Sequence, residues 1–142
     1  IGGRARSLGE EDYPTANDTN ACIPMIETRD AVENLDEILA VDGVDAIYVG
    51  PADLSLSYGY GPAYSDDNEE YKEVLEYIVE RCNKAGKVAG IHSTVGLAPN
   101  RREKGFMMQT ISGDVAALAK GSYRDLQDAR AGETGDGSSR IY

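Results

Sequence analysis

From about residue 20 to residue 131 the sequence alternates short β-rich runs with segments of helical period. That alternation is the tightest constraint on what this chain can fold into. Residues 22–26 (Cys-Ile-Pro-Met-Ile) read as a first strand, and Pro24 confines it to an edge or a non-donating position. Thr28 is placed to cap a helix in which Val32, Leu35, Ile38 and Leu39 recur at helical spacing. Gly43 breaks that pattern before a second strand over 44–49, which ends at Gly50-Pro51. The strongest helix spans 68–85, where Tyr71, Val74, Leu75, Ile78, Val79 and Cys82 form one apolar stripe. Asp67 and Glu70 stand like a capping pair at its start, and Gly86 stops it. Residues 87–91 read as a third strand, 97–104 as a short helix and 106–111 as a fourth strand. A last helix runs from Asp114 to about Ala131, with Gly121 as an interruption. Four βα units in succession imply an α/β fold with a parallel sheet covered by helices. Residues 1–21 read as a loop entering the first strand, and 132–142, rich in Gly, Ser and acidic residues, as a disordered tail.

The charge balance narrows the partners. Asp and Glu number 25 against 14 Lys and Arg, for a net charge of −11. Such a surface repels phosphate backbones and anionic lipid, so no nucleic acid and no membrane are expected as partners. No apolar run reaches the ~18 residues of a membrane span, and nothing reads as a signal peptide. Cys22 and Cys82 are too few for a disulfide framework and belong to no Cys/His cluster. They read as two reduced, buried thiols of a cytoplasmic protein. The chain opens at Ile1 without a methionine, as a piece of something longer would.

In parallel βα folds the chemistry gathers where strands end and the next loops begin. Those places hold Glu27, then Gly50-Pro51-Ala52-Asp53, then His92, then Ser112-Gly113-Asp114. Three of the four offer a carboxylate, and convergent carboxylates anchor hard divalent ions. Acidic residues also suit helix N-termini through the dipole, and for Asp114 an N-cap is a full account. Gly50 permits close backbone approach and Pro51 stiffens the turn. The amides of Ala52 and Asp53 then point from a helix start towards the rim, where they can hold an anion.

Several segments together resemble the HpcH/HpaI aldolase family: Pro24-Met25-Ile26-Glu27-Thr28, Asn34-Leu35-Asp36-Glu37-Ile38, Gly43-Val44-Asp45 and Val49-Gly50-Pro51-Ala52-Asp53-Leu54-Ser55. The likeness is dense from about Asn20 to Gly59 and continues more weakly to Asp114. It implies a class II, metal-dependent aldolase acting on 2-oxo acids in a TIM (β/α)8 barrel. Residues 1–131 would be a partial barrel domain containing strands 5–8. Glu27 and Asp53 match the family's metal ligands, for Mg²⁺, Mn²⁺ or Co²⁺. Gly50, Pro51, Ala52 and Asp53 match the turn that holds the carboxylate of pyruvate. The ion would act as a Lewis acid on the 2-oxo group during cleavage or formation of a 4-hydroxy-2-oxo acid, with an aldehyde as the second partner.

The family's proton-transferring histidine and oxo-contacting arginine fall on strands that would precede Ile1. His92 is not that histidine; it reads as structural, with a substrate contact at the rim as the other reading. Arg29, Arg101 and Arg102 read as solvated helix faces. This chain alone is therefore expected to be inactive, and to associate as a homo-oligomer or with its missing half through an uncovered sheet face. The alternatives are a non-catalytic half-barrel that binds metal and small 2-oxo acids, and a citryl- or malyl-CoA lyase-like enzyme. A Schiff-base mechanism lacks its lysine, because Lys87 stands at the wrong end of its strand.

Overall fold

The computed structural model describes residues 18, 20–61 and 67–132. Four parallel strands form one sheet in the order of the chain: β1 (Met25–Ile26), β2 (Ala46–Val49), β3 (Val88–His92) and β4 (Met108–Thr110). Between them lie helices α1 (Arg29–Glu33), α2 (Leu35–Leu39), α3 (Pro51–Ser57), α4 (Glu69–Lys84) and α5 (Ala98–Glu103), and α6 (Asp114–Ala131) follows β4. This is the parallel α/β architecture that the βα rhythm implied. The tail beyond Gly132 and most of the 1–21 loop lie outside the described residues.

The register places Met25 beside Tyr48, Tyr48 beside Gly90 and Gly90 beside Met108, so these four form one row. The next residues along, Ile26, Val49 and Ile91, form another row on the opposite face and are fully buried. They pack with Leu35 and Leu39 of α2, Leu54 of α3, and Leu75, Ile78 and Cys82 of α4 in the single core. The other sheet face is uncovered among the described residues: Met25 keeps 53% of its surface exposed and Val88 43%. α6 is bare as well, with no buried residue and with Val115 and Leu118 exposed. A helix spanning 18 residues with nothing packed on its apolar stripe is a surface awaiting another element.

Several local expectations are corrected. Thr28 does cap α1 through the Ala31 amide, but Asn34 divides that stretch into α1 and α2. Asn68, not the Asp67–Glu70 pair, caps α4: its side chain accepts from the Tyr71 amide at 3.1 Å. An Asx side chain at this position reaches the third amide without help, which leaves Glu70 free to accept from the Tyr60 hydroxyl at 2.6 Å. Gly113 rather than Asp114 is the residue before α6; Asp114 lies in the first turn. Gly121 does not interrupt that helix, because one glycine costs only about 1 kcal/mol there. Pro24 fits because β1 is the sheet edge, and its carbonyl accepts from the Tyr48 amide.

The two cysteines differ. Cys82 is buried under α4, whereas Cys22 is exposed, contrary to expectation. The first strand is only two residues long, and Cys22 precedes it as an isolated bridge to Val44. Burial pushes the Cys82 thiol up to about 11. At pH 8 the folded protein should therefore release one equivalent of thionitrobenzoate from Ellman's reagent, with Cys22 as the reactive thiol, and two after denaturation. Two rapid equivalents in the native state would contradict this packing of α4.

Candidate functional site

All four strands point the same way, so their C-terminal ends share one rim. One residue beyond the buried Ile26–Val49–Ile91 row lie Glu27, Gly50 and His92, and His92 pairs with Thr110. The sheet register therefore brings together residues that the sequence separates by up to 83 positions, Glu27 to Thr110. Gly50 is needed because of what stands beside it. A Cβ there would lie 2.9 Å from Glu27 Oε2 and 3.1 Å from Glu27 Cβ. The carboxylate of Glu27 thus occupies the space that any larger residue at position 50 would take.

The turn after Gly50 exposes two backbone donors. Pro51 has no N–H, Gly50 has no side chain to cap the helix, and the Leu54 amide is already bonded to the Gly50 carbonyl at 2.9 Å. The N–H groups of Ala52 and Asp53 are left without an acceptor among the described residues. Ala52 and Asp53 line a recess of about 220 Å³ together with Gly50, Pro51, His92, Met25 and Tyr48. The turn is anchored from outside the rim: the buried Tyr71 of α4 donates its hydroxyl to the Pro51 carbonyl at 2.9 Å. Sequence reading took Tyr71 only as part of an apolar stripe. A tyrosine rather than leucine at a buried stripe position was the available signal, since its hydroxyl requires a partner.

The structure thus brings Ala52, Asp53 and His92 to one recess, with Glu27 against its Gly50 edge. Neither Glu27 nor Asp53 has a cationic or hydrogen-bonding partner among the described residues. Asp114 does not line this recess; its carboxylate accepts from the Val115 amide at 2.8 Å. Among the described residues no cluster of three or more His, Cys, Asp or Glu is suited to a metal. An ion here would have two protein carboxylates and complete its shell with water and substrate oxygens.

The arginines are not all solvated. Arg101 is 1% exposed, a buried residue of α5. Arg29 lies over the Tyr58 ring, 4.6 Å from its centroid, beside the stacked Tyr60. Burial raises the Tyr58 phenol above its usual range, and the Arg29 cation opposes that rise. Lys87 sits at the N-terminal end of β3 with its ammonium on the Val44 carbonyl, far from a role in this rim.

The sequence model for the family described as HpcH/HpaI aldolase/citrate lyase matches residues 3–119. The chain is 38% identical over 117 residues to a hydroxypyruvate/pyruvate aldolase of Rhizorhabdus wittichii, covering 82% of this chain and 47% of that protein. It is 37% identical over 108 residues to a 4-hydroxy-2-oxo-heptane-1,7-dioate aldolase of Klebsiella pneumoniae, covering 75% and 40%. Among solved structures, an HpcH/HpaI aldolase/citrate lyase family protein from Burkholderia cenocepacia superposes with a TM-score of 0.76 at 31% identity, covering 92% of this chain and 52% of that one. An HpcH/HpaI aldolase from Desulfitobacterium hafniense gives 0.71 at 27% identity, covering 99% and 55%. The chain spans about half the length of the relatives it matches.

The Gly50–Glu27 contact makes a quantitative prediction. Gly50→Ala should destabilise the fold by about 1–3 kcal/mol through overpacking, and much of that cost should vanish in a Glu27→Ala background. Urea unfolding of the four proteins of this cycle measures it. Strictly additive costs would show that the two residues do not press on one another.

Proposed function

The chain belongs to the HpcH/HpaI aldolase/citrate lyase family, and on that premise we propose that its rim binds a 2-oxo acid together with a divalent cation, for carbon–carbon bond cleavage or formation. The observation that carries this reading is the recess lined by Ala52 and Asp53, whose amides have no acceptor among the described residues, with the Glu27 carboxylate at its Gly50 edge. Glu27 and Asp53 would hold the ion, in keeping with Mg²⁺, Mn²⁺ or Co²⁺, all of which take oxygen ligands. Once bound, the ion supplies Lewis-acid polarisation of the 2-oxo group.

The chain's own groups do the rest of the holding. The Ala52 and Asp53 N–H groups bond the substrate carboxylate, and the first turn of α3 adds its dipole to them. Pro51 and the Tyr71 hydroxyl keep that turn from relaxing when the anion leaves. Met25 and Tyr48 give the small methyl end of pyruvate an apolar floor. His92 lines the same recess and would meet the aldehyde side of the reaction. The positions matching the family's proton-transferring histidine and its arginine are not in this chain. Losing such groups costs factors of about 10² to 10⁴, so turnover by residues 1–142 alone should be negligible.

The uncovered inner face supports association of residues 1–131, as a partial barrel domain, with another copy or a complementary half. Sedimentation velocity should then show a species heavier than 15.3 kDa, and a clean monomer at high concentration would remove that part of the proposal.

Calorimetry tests the site itself. Mn²⁺ should bind the wild-type chain, and Glu27→Gln or Asp53→Asn should each weaken it by about tenfold or more. Oxalate should bind only with the metal present, and more weakly to Ala52→Pro, which removes one donor. Equal Mn²⁺ affinity in all three proteins would end this reading.

A further inference from the structure

The elements that carry Glu27 and Asp53 are joined a second time, outside the rim, by a row of side chains of which the site itself uses only Tyr71. Arg29 lies over the Tyr58 ring, 4.6 Å from its centroid. Tyr58 stacks on Tyr60, with centroids 6.0 Å apart and an interplanar angle of 17°. Gly59 between them holds φ +83°, a turn that residues with a side chain rarely make. Tyr60 meets Tyr71 edge to face at 6.3 Å, and the Tyr71 hydroxyl donates to the Pro51 carbonyl. The row thus begins two residues after Glu27 and ends two residues before Asp53.

Arg29 is the unusual member. It opens α1, where a cation opposes the helix dipole, and Glu33, four residues on, is its ordinary partner on a helix. No ion pair joins Arg29 to Glu33 or to another carboxylate among the described residues. In a chain with a net charge of −11, the guanidinium faces a ring instead. That ring stands at the C-terminal end of α3, the helix whose first turn holds Asp53. Tyr58 and Tyr60 pack against the core, and Tyr60 is tied to Glu70 of α4, so the rings form a fixed wall for the guanidinium. Glu27 has few other restraints. β1 is two residues long at the sheet edge, and the last ladder bond before Glu27 runs from the Gly50 amide to the Ile26 carbonyl at 3.2 Å.

We propose that Arg29 and Tyr58 are positioning residues for the cation site: their contact holds the Glu27 turn at a set distance from α3, so that the two carboxylates converge before an ion arrives. The proposal rests on the reading that Glu27 and Asp53 share a divalent ion. A site assembled in advance binds more tightly, because its ligands lose little freedom on binding. Charge and geometry give opposite signs for the loss of Arg29. Removing a cation near Glu27 would tighten a divalent ion through Coulomb attraction alone, whereas losing the contact loosens it.

Mn²⁺ affinity of the full chain, measured by calorimetry, reads that sign. Arg29→Ala and Tyr58→Leu are each expected to weaken Mn²⁺ about threefold or more, and the double variant no further than the weaker single one. Tyr58→Phe, which keeps the ring, is expected to retain wild-type affinity. Arg102→Ala, which removes a cation from α5 instead, is expected to do the same, with circular dichroism confirming that every variant is folded. Amide resonances of the metal-free protein give a second readout: Arg29→Ala should shift those of Glu27, Gly50 and Asp53, and Arg102→Ala should not. Unchanged or tighter Mn²⁺ binding in Arg29→Ala, or an unmoved Asp53 amide, overturns the proposal. Failure of the wild type to bind Mn²⁺, or equal binding by Glu27→Gln, would refute the two-carboxylate reading and the positioning role with it. Wild-type binding that depends on Glu27 but not on Arg29 would refute the positioning role alone.

Discussion

The parallel register of β2 between β1 and β3 is the constraint on which everything at the rim depends. It sets Ile26, Val49 and Ile91 side by side under the helices, and so sets Glu27, Gly50 and His92 one step further along, facing the other way. A slip of one residue would turn the buried isoleucines outward and the carboxylate inward, at a cost of several kcal/mol in lost apolar burial alone. The hydrophobic core under α2 and α4 therefore fixes the chemistry of the rim without touching it. Gly50 records how closely the two are fitted: its missing side chain is the space in which the Glu27 carboxylate lies.

The sheet has two different faces. The helix side is closed by Leu35, Leu54, Leu75 and Ile78, while among the described residues nothing covers the other side, with Met25 and Val88, or α6. Relatives about twice as long as this chain carry the matching segment as about half of their length. At the rim, the recess lined by Ala52, Asp53 and His92 lies beside the Glu27 carboxylate, which abuts Gly50.

What the sequence made legible follows from range. Strand and helix periods are local, so the βα order, the Thr28 cap and the placement of Glu27, Asp53 and His92 at strand ends could all be read directly. The expectations that failed depend on what covers a residue from elsewhere. Cys22 has the composition of a strand residue, but the edge strand is short and Cys22 lies exposed before it. Arg101 has the spacing of a helix surface, yet α5 buries it. Choosing Asn68 over Asp67 as the cap of α4 was a matter of one residue, a margin that capping preferences do not resolve. The role of Tyr71 came from a partner 20 positions away in sequence, the Pro51 carbonyl, which no local pattern reveals.

Anomalous diffraction from crystals of this chain grown with Mn²⁺ and oxalate tests directly whether Glu27 and Asp53 share one ion. One Mn²⁺ peak is expected, bonded to the carboxylates of both Glu27 and Asp53, with oxalate on the same ion and one of its carboxylates on the Ala52 and Asp53 amides. A Mn²⁺ ion bound elsewhere, or held by only one of the two residues with oxalate away from the turn, would contradict it.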